Sequence, residues 1–159
     1  MTIEEKKALN AARIRAVNQA WKHEVELVKE GKGTRQWTIE EQKEMLSSPN
    51  HRVTGYHGHH MKSVNGHEEY AGEPKNIQFL TREEHMEAHQ NWTQNQTNGY
   101  YNYETHIMEP FNGKELKEVP VQELNETYST SSEQQNSCSV EYNNDNSNNI
   151  DYENCFDDY

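Results

Sequence analysis

The chain has 159 residues, 31% of them hydrophobic, and a formal net charge of −12, which allows one domain with a modest core and leaves part of the sequence too polar to pack. The acidity is uneven, since residues 1–108 hold 13 Lys and Arg against 15 Asp and Glu while residues 109–159 hold 2 against 12, so a phosphate-binding face in the first part is not excluded. No run of about 18 apolar residues is present, which excludes a membrane-spanning helix, and the charged opening MTIEEKKALNAARIRAV lacks the apolar centre of a secretory signal.

Three segments open on Thr followed three residues later by Glu, at Thr2/Glu5, Thr38/Glu41 and Thr81/Glu84. In each, the hydroxyl and the carboxylate cap each other's free backbone N–H groups, so each predicts a helix start. The first helix is predicted from about Ile3 to Glu30, with Leu9, Ala12, Ile14, Val17, Ala20, Trp21, Val25 and Val28 as its apolar stripe and GKGT at 31–34 as its stop. The second runs from about Ile39 to Leu46 and ends before Ser47-Ser48-Pro49-Asn50. Two short strands follow, one from Arg52–Tyr56 extending through His59 and one over residues 76–80, NIQFL. The third helix starts at Thr81 and carries EEHMEAHQNW. Residues 109–159 are rich in Asn, Ser, Glu and Tyr without usable periodicity and are expected to be mainly disordered. Both cysteines, Cys138 and Cys155, lie there, as expected for a reduced compartment rather than a disulfide framework. That acidic tail is either a solubilising extension or a competitor for a basic rim.

The stretch GYHGHHMKSV crowds His57, His59 and His60 near the end of the first strand. Adjacent strand residues point to opposite sides, so His59 and His60 do not readily ligate one ion together; one can bind while the other takes a proton from water. On the capped third helix, His85 and His89 are four apart and share a face, the spacing of a helical metal pair. His57, on the same strand side as His59, is an alternative ligand or a supporting partner. Asn76, after Pro74-Lys75, is either a turn residue or part of the site. Arg35, Lys62 and Arg82 are candidate phosphate contacts, with an ion pair to Glu24 as the structural alternative for Arg35. Trp21, Trp37 and Trp92 are expected to pack against the small strand–helix unit.

The order His59-His60, Asn76, His85 and His89, with separations of 16, 9 and 4 residues counted from His60, resembles the HNH nucleases with a ββα-metal finger, colicin-type DNase domains among them. The segments AWKHEVELVKEGKGTRQWTIEEQ, GYHGHHMKSV and AGEPKNIQFLTREEHMEAH are similar to the GHH group of bacterial polymorphic toxin nuclease domains, over roughly residues 20–92. The resemblance implies an α+β fold in which N-terminal helices at 1–50 pack on a nuclease core at 51–108, ahead of the tail at 109–159. It implies one divalent metal ion, Mg, Mn, Ni or Zn, held by His59, His85 and His89. His60 would be the general base, with Asn76 holding the strand loop in place. It further implies hydrolysis of phosphodiester bonds in DNA and a cognate immunity protein. The site of action would be the cytoplasm, or a target-cell cytoplasm for a secreted effector. A stand-alone phage or mobile-element nuclease, a non-catalytic nucleic-acid binder and a structural zinc protein of the same fold remain as alternatives.

Overall fold

The computed structural model describes residues 1–92 and 94–129. Helix α1 (Ile3–Lys29) and helix α2 (Ile39–Ser47) each begin on a complete capping box, with the Thr side chain accepting from the third helical N–H and the Glu carboxylate accepting from the cap N–H. A two-residue strand β1 (Lys32–Gly33) lies between them. Strands β2 (Tyr56–His60) and β3 (Ile77–Thr81) pair antiparallel with His59 opposite Gln78 and His60 opposite Ile77. Helix α3 (Arg82–Ala88) follows β3 without a linker, capped by Thr81 and Glu84 in the same reciprocal way. Strands β4 (Gly99–Asn102) and β5 (Ile107–Pro110) form a second hairpin, and β6 (Gln122–Glu123) returns to pair with β1. The result is a small mixed fold of three helices and three two-stranded antiparallel sheets among the described residues.

The two faces of the β2–β3 hairpin meet different neighbours. On one face Phe79 stacks on Trp21 with ring centroids 3.9 Å apart, within a core shared by Val17, Val25, Val28, Trp37, Met45, Val53, Ile77 and Leu124. Gly58 allows this approach, because a Cβ there would lie 2.8 and 2.9 Å from the two Val17 methyls. On the other face Leu80 packs with Ala88 and Tyr101. There the Gln78 amide exchanges hydrogen bonds with the backbone N–H and C=O of Tyr101, tying β4 to β3 as a strand's own peptide would.

Three expectations need correction. Residues 109–129 do not belong to a disordered tail. Phe111 and Val119 enclose Met61, Leu124 enters the main core, and Glu126 O and Tyr128 N bond the buried Gln42 amide. Three separate apolar anchors hold this segment, with no helical or strand period to announce them. Trp92, expected to pack, is 60% exposed. The core also crosses the expected boundary at residue 50, since α1, α2 and the hairpin share one apolar cluster. Cys138, Cys155 and the rest of the acidic segment from residue 130 lie outside the described residues.

Candidate metal centre

The strand alternation sorts the crowded histidines. His57 and His59 face α3, and His60 faces the opposite side. His85 on α3 and His89, the residue that caps its C-terminal end, come over His59, and the ring centroids form a nearly equilateral triangle: 4.9 Å for His59–His85, 5.1 Å for His59–His89 and 4.9 Å for His85–His89. The rings meet edge to face, and one ligand nitrogen from each lies within 4.8 Å of the others. All three residues are buried. Three converging imidazoles shut away from bulk water, with no carboxylate in the set, suit a first-row divalent ion. The site can therefore hold a metal. His89 is oriented for it, because Nδ1 donates to Asn95 O at 2.7 Å, leaving Nε2 for ligation. His57 stands at the margin, its ring 6.3 Å from that of His85.

His60 does not face open space as its expected role requires; it is 1% exposed. Its Nε2 lies 3.0 Å from Ala71 O, and since a carbonyl only accepts, the neutral ring carries its hydrogen on Nε2 and its lone pair on Nδ1. Thr97 and Gly99 close over the backbone that follows: Ser63 N donates to Thr97 O at 3.0 Å and Gly99 N to Met61 O at 3.3 Å. Asn76, wholly buried, clasps the backbone of one residue on both sides. Its Oδ1 accepts from Lys62 N at 2.8 Å and its Nδ2 donates to Lys62 O at 3.1 Å.

Two of the three expected phosphate contacts are interior residues. Arg35 donates to Phe79 O and to both oxygens of Glu84, the nearer at 2.9 Å, with Tyr56 and Tyr103 against its guanidinium. Burial raises the Glu84 carboxyl, but the hydrogen bonds from Arg35 and Thr81 outweigh it and hold the group below its ordinary range. Glu24 is occupied elsewhere, accepting from Trp37 Nε1, Thr34 N and Thr34 Oγ1. Lys62 is also buried, its Nζ donating to Asn98 Oδ1 at 2.8 Å and Gly113 O at 2.9 Å, and desolvation pushes its ammonium below the usual lysine range. Of the three, Arg82 alone is exposed. The sequence reading missed Asn95, whose carbonyl orients His89, and it missed the outward indole of Trp92.

Residues 3–81 match the family described as GHH signature containing HNH/Endo VII superfamily nuclease toxin. The chain belongs to that family. The match stops at Thr81, so His85 and His89 lie just beyond it. The chain is also 41% identical over 87 residues to Teneurin-3 of Danio rerio and of Mus musculus, and 41% identical over 86 residues to Teneurin-4 of Homo sapiens. These stretches cover 52–53% of this chain and 3% of each of those proteins. Membership makes the chain a nuclease toxin domain by family, and among the described residues no helix is long and apolar enough to cross a membrane.

Proposed function

We propose that this protein is a metal-dependent endonuclease that hydrolyses phosphodiester bonds of DNA, with β2, β3 and α3 serving as a ββα-metal finger. The buried triangle of His59, His85 and His89 carries this reading, because family membership alone does not say where the chemistry sits. A divalent ion held there, Mg, Mn, Ni or Zn, would polarise the scissile phosphate and offset the charge growing on the departing oxygen. His60 accepts a proton at Nδ1 from the attacking water as the new P–O bond forms and the bond to the 3′ oxygen breaks. The leaving oxygen takes its proton from solvent. Ala71 O fixes the tautomer that this step needs. Asn76 positions His60 through the Lys62 peptide, two residues along the chain. Because residues 97–99 bond the backbone at 61–63, delivery of water to His60 requires that segment to part. Arg82, exposed in the first turn of α3, is the phosphate contact of this scheme. A cognate immunity protein is the partner a nuclease toxin requires.

The burial of all three imidazoles favours one second reading, a closed structural zinc site without catalysis. Supercoiled plasmid incubated with Mg²⁺, Mn²⁺, Ni²⁺ or Zn²⁺ separates the two when wild type is compared with His60→Ala. The enzyme cuts, and the variant binds metal without cutting. Equal behaviour of the two proteins in every metal would discard the catalytic assignment of His60.

A further inference from the structure

We infer that the turn after α3, with Trp92 at its apex, reads nucleobases rather than phosphates and directs the enzyme to unpaired nucleotides. This rests on the nuclease reading above and adds the substrate feature that the site selects.

The turn is built onto the metal centre. Gln90 and Asn91 both adopt left-handed backbone, with φ of 55° and 61°, a conformation unfavourable for a non-glycine residue that persists only where the surroundings enforce it. Here Gln90 N donates to Glu87 O and Asn91 N to Met86 O, closing the C-terminal end of α3. Trp92 N then donates to His89 O at 3.1 Å and Asn95 N to Trp92 O at 2.9 Å. The Asn95 side chain bonds His89 O at 3.0 Å, while its carbonyl takes the His89 ring hydrogen. Three contacts thus fasten the turn to His89 itself.

What the turn shows to solvent is uncharged. Trp21 and Trp37 are core residues at 1% and 2% exposure, whereas Trp92 leaves 60% of its surface open. Gln90, Asn91, Gln94, Asn95 and Gln96 around it are all exposed amides. Beside them lies a depression of about 490 Å³ whose near side is lined by Gln90, Asn95, Gln96 and Asn98 and which also holds Glu87 and His106. The neighbouring surface of α3 presents Glu83 and Glu87 beside Arg82, so beyond the single Arg82 contact it offers no cationic track to a phosphate backbone. An indole offers a stacking face to any base, and primary amides match the donor and acceptor edges of bases without a counter-ion. In a duplex those faces are stacked away, so the turn selects strands whose bases can splay out next to the scissile bond.

The test uses the full chain with Mn²⁺ on a short single strand, the same sequence as a blunt duplex, and the strand with one abasic nucleotide beside the cleavage position. Wild type is expected to cut the single strand faster than the duplex. Trp92→Ala should raise KM for the single strand about tenfold with little change in kcat, Trp92→Phe should recover most of that loss, and the abasic strand should not distinguish the variants. Raising the salt should leave the Trp92 effect in place, because no charge is involved. Trp92→Ala should melt with wild type; a lower melting temperature would mean the indole packs in the fold and would overturn the inference. Wild-type rates retained by Trp92→Ala on all three substrates would overturn it too and assign the indole to a protein contact. No cutting of any substrate by wild type would instead remove the nuclease reading on which it rests.

Discussion

The two faces of one hairpin do different work here. Toward α1, Gly58, Ile77 and Phe79 present apolar or absent side chains and disappear into the main core. Toward α3, His59 and Gln78 present polar side chains that are just as buried, His59 against the rings of His85 and His89 and Gln78 against the backbone N–H and C=O of Tyr101. The alternation of a five-residue strand sets the metal-holding imidazole against α3 and the apolar support against α1, with His60 at the strand's end on the support side. A site on such a strand inherits the rigidity of the core behind it.

The largest effect that would break this contrast is on the α3 face. Replacing His59 or His89 with Ala should lower cleavage by more than about a hundredfold and remove the rise in melting temperature that added metal gives, measured by thermal denaturation with and without chelator. A metal-dependent shift retained by His89→Ala would separate the imidazole triangle from metal binding. Next in size, Arg35→Met leaves the partly buried Glu84 without its cation, and urea titration should show a loss of about 3 kcal/mol, the lower end for a broken interior pair. The support face responds more modestly. Gly58→Val drives a branched side chain into Val17 and should cost about 1–3 kcal/mol, with cleavage per folded molecule preserved. The smallest effect is in acid. Glu84 has its folded-state pKa depressed, so its contribution is present above the unfolded carboxylate value of about 4.3 and is lost as pH falls through the lower folded value. In the Glu84→Gln protein that part of the acid slope should be missing; an unchanged slope would assign it to other carboxylates.

Much of this contrast can be read from local sequence. Thr2, Thr38 and Thr81 with their Glu partners mark all three helix starts, because a capping box is complete within four residues. The pairing of His85 with His89 and the opposition of His59 to His60 follow from helical and strand periods alone. What resists reading is set by partners far along the chain. Arg35 is interior because Glu84, 49 positions later, closes on it. Lys62 is interior because Gly113, 51 positions later, caps its ammonium. The same two residue types at the same positions, without those partners, would be surface cations suited to phosphate. Phe111, Val119 and Leu124 are illegible for a related reason: the first two close on Met61 and the third enters the main core, gaps made by other elements, so no period connects them.

The capped amine of Lys62 also gives the fold a built-in gauge. An acylating reagent reaches this nitrogen only in the moments when Asn98 and Gly113 swing off it, so its labelling rate times the breathing of the C-terminal wrap. Set beside turnover, that rate says how often the cover over residues 61–63 lifts.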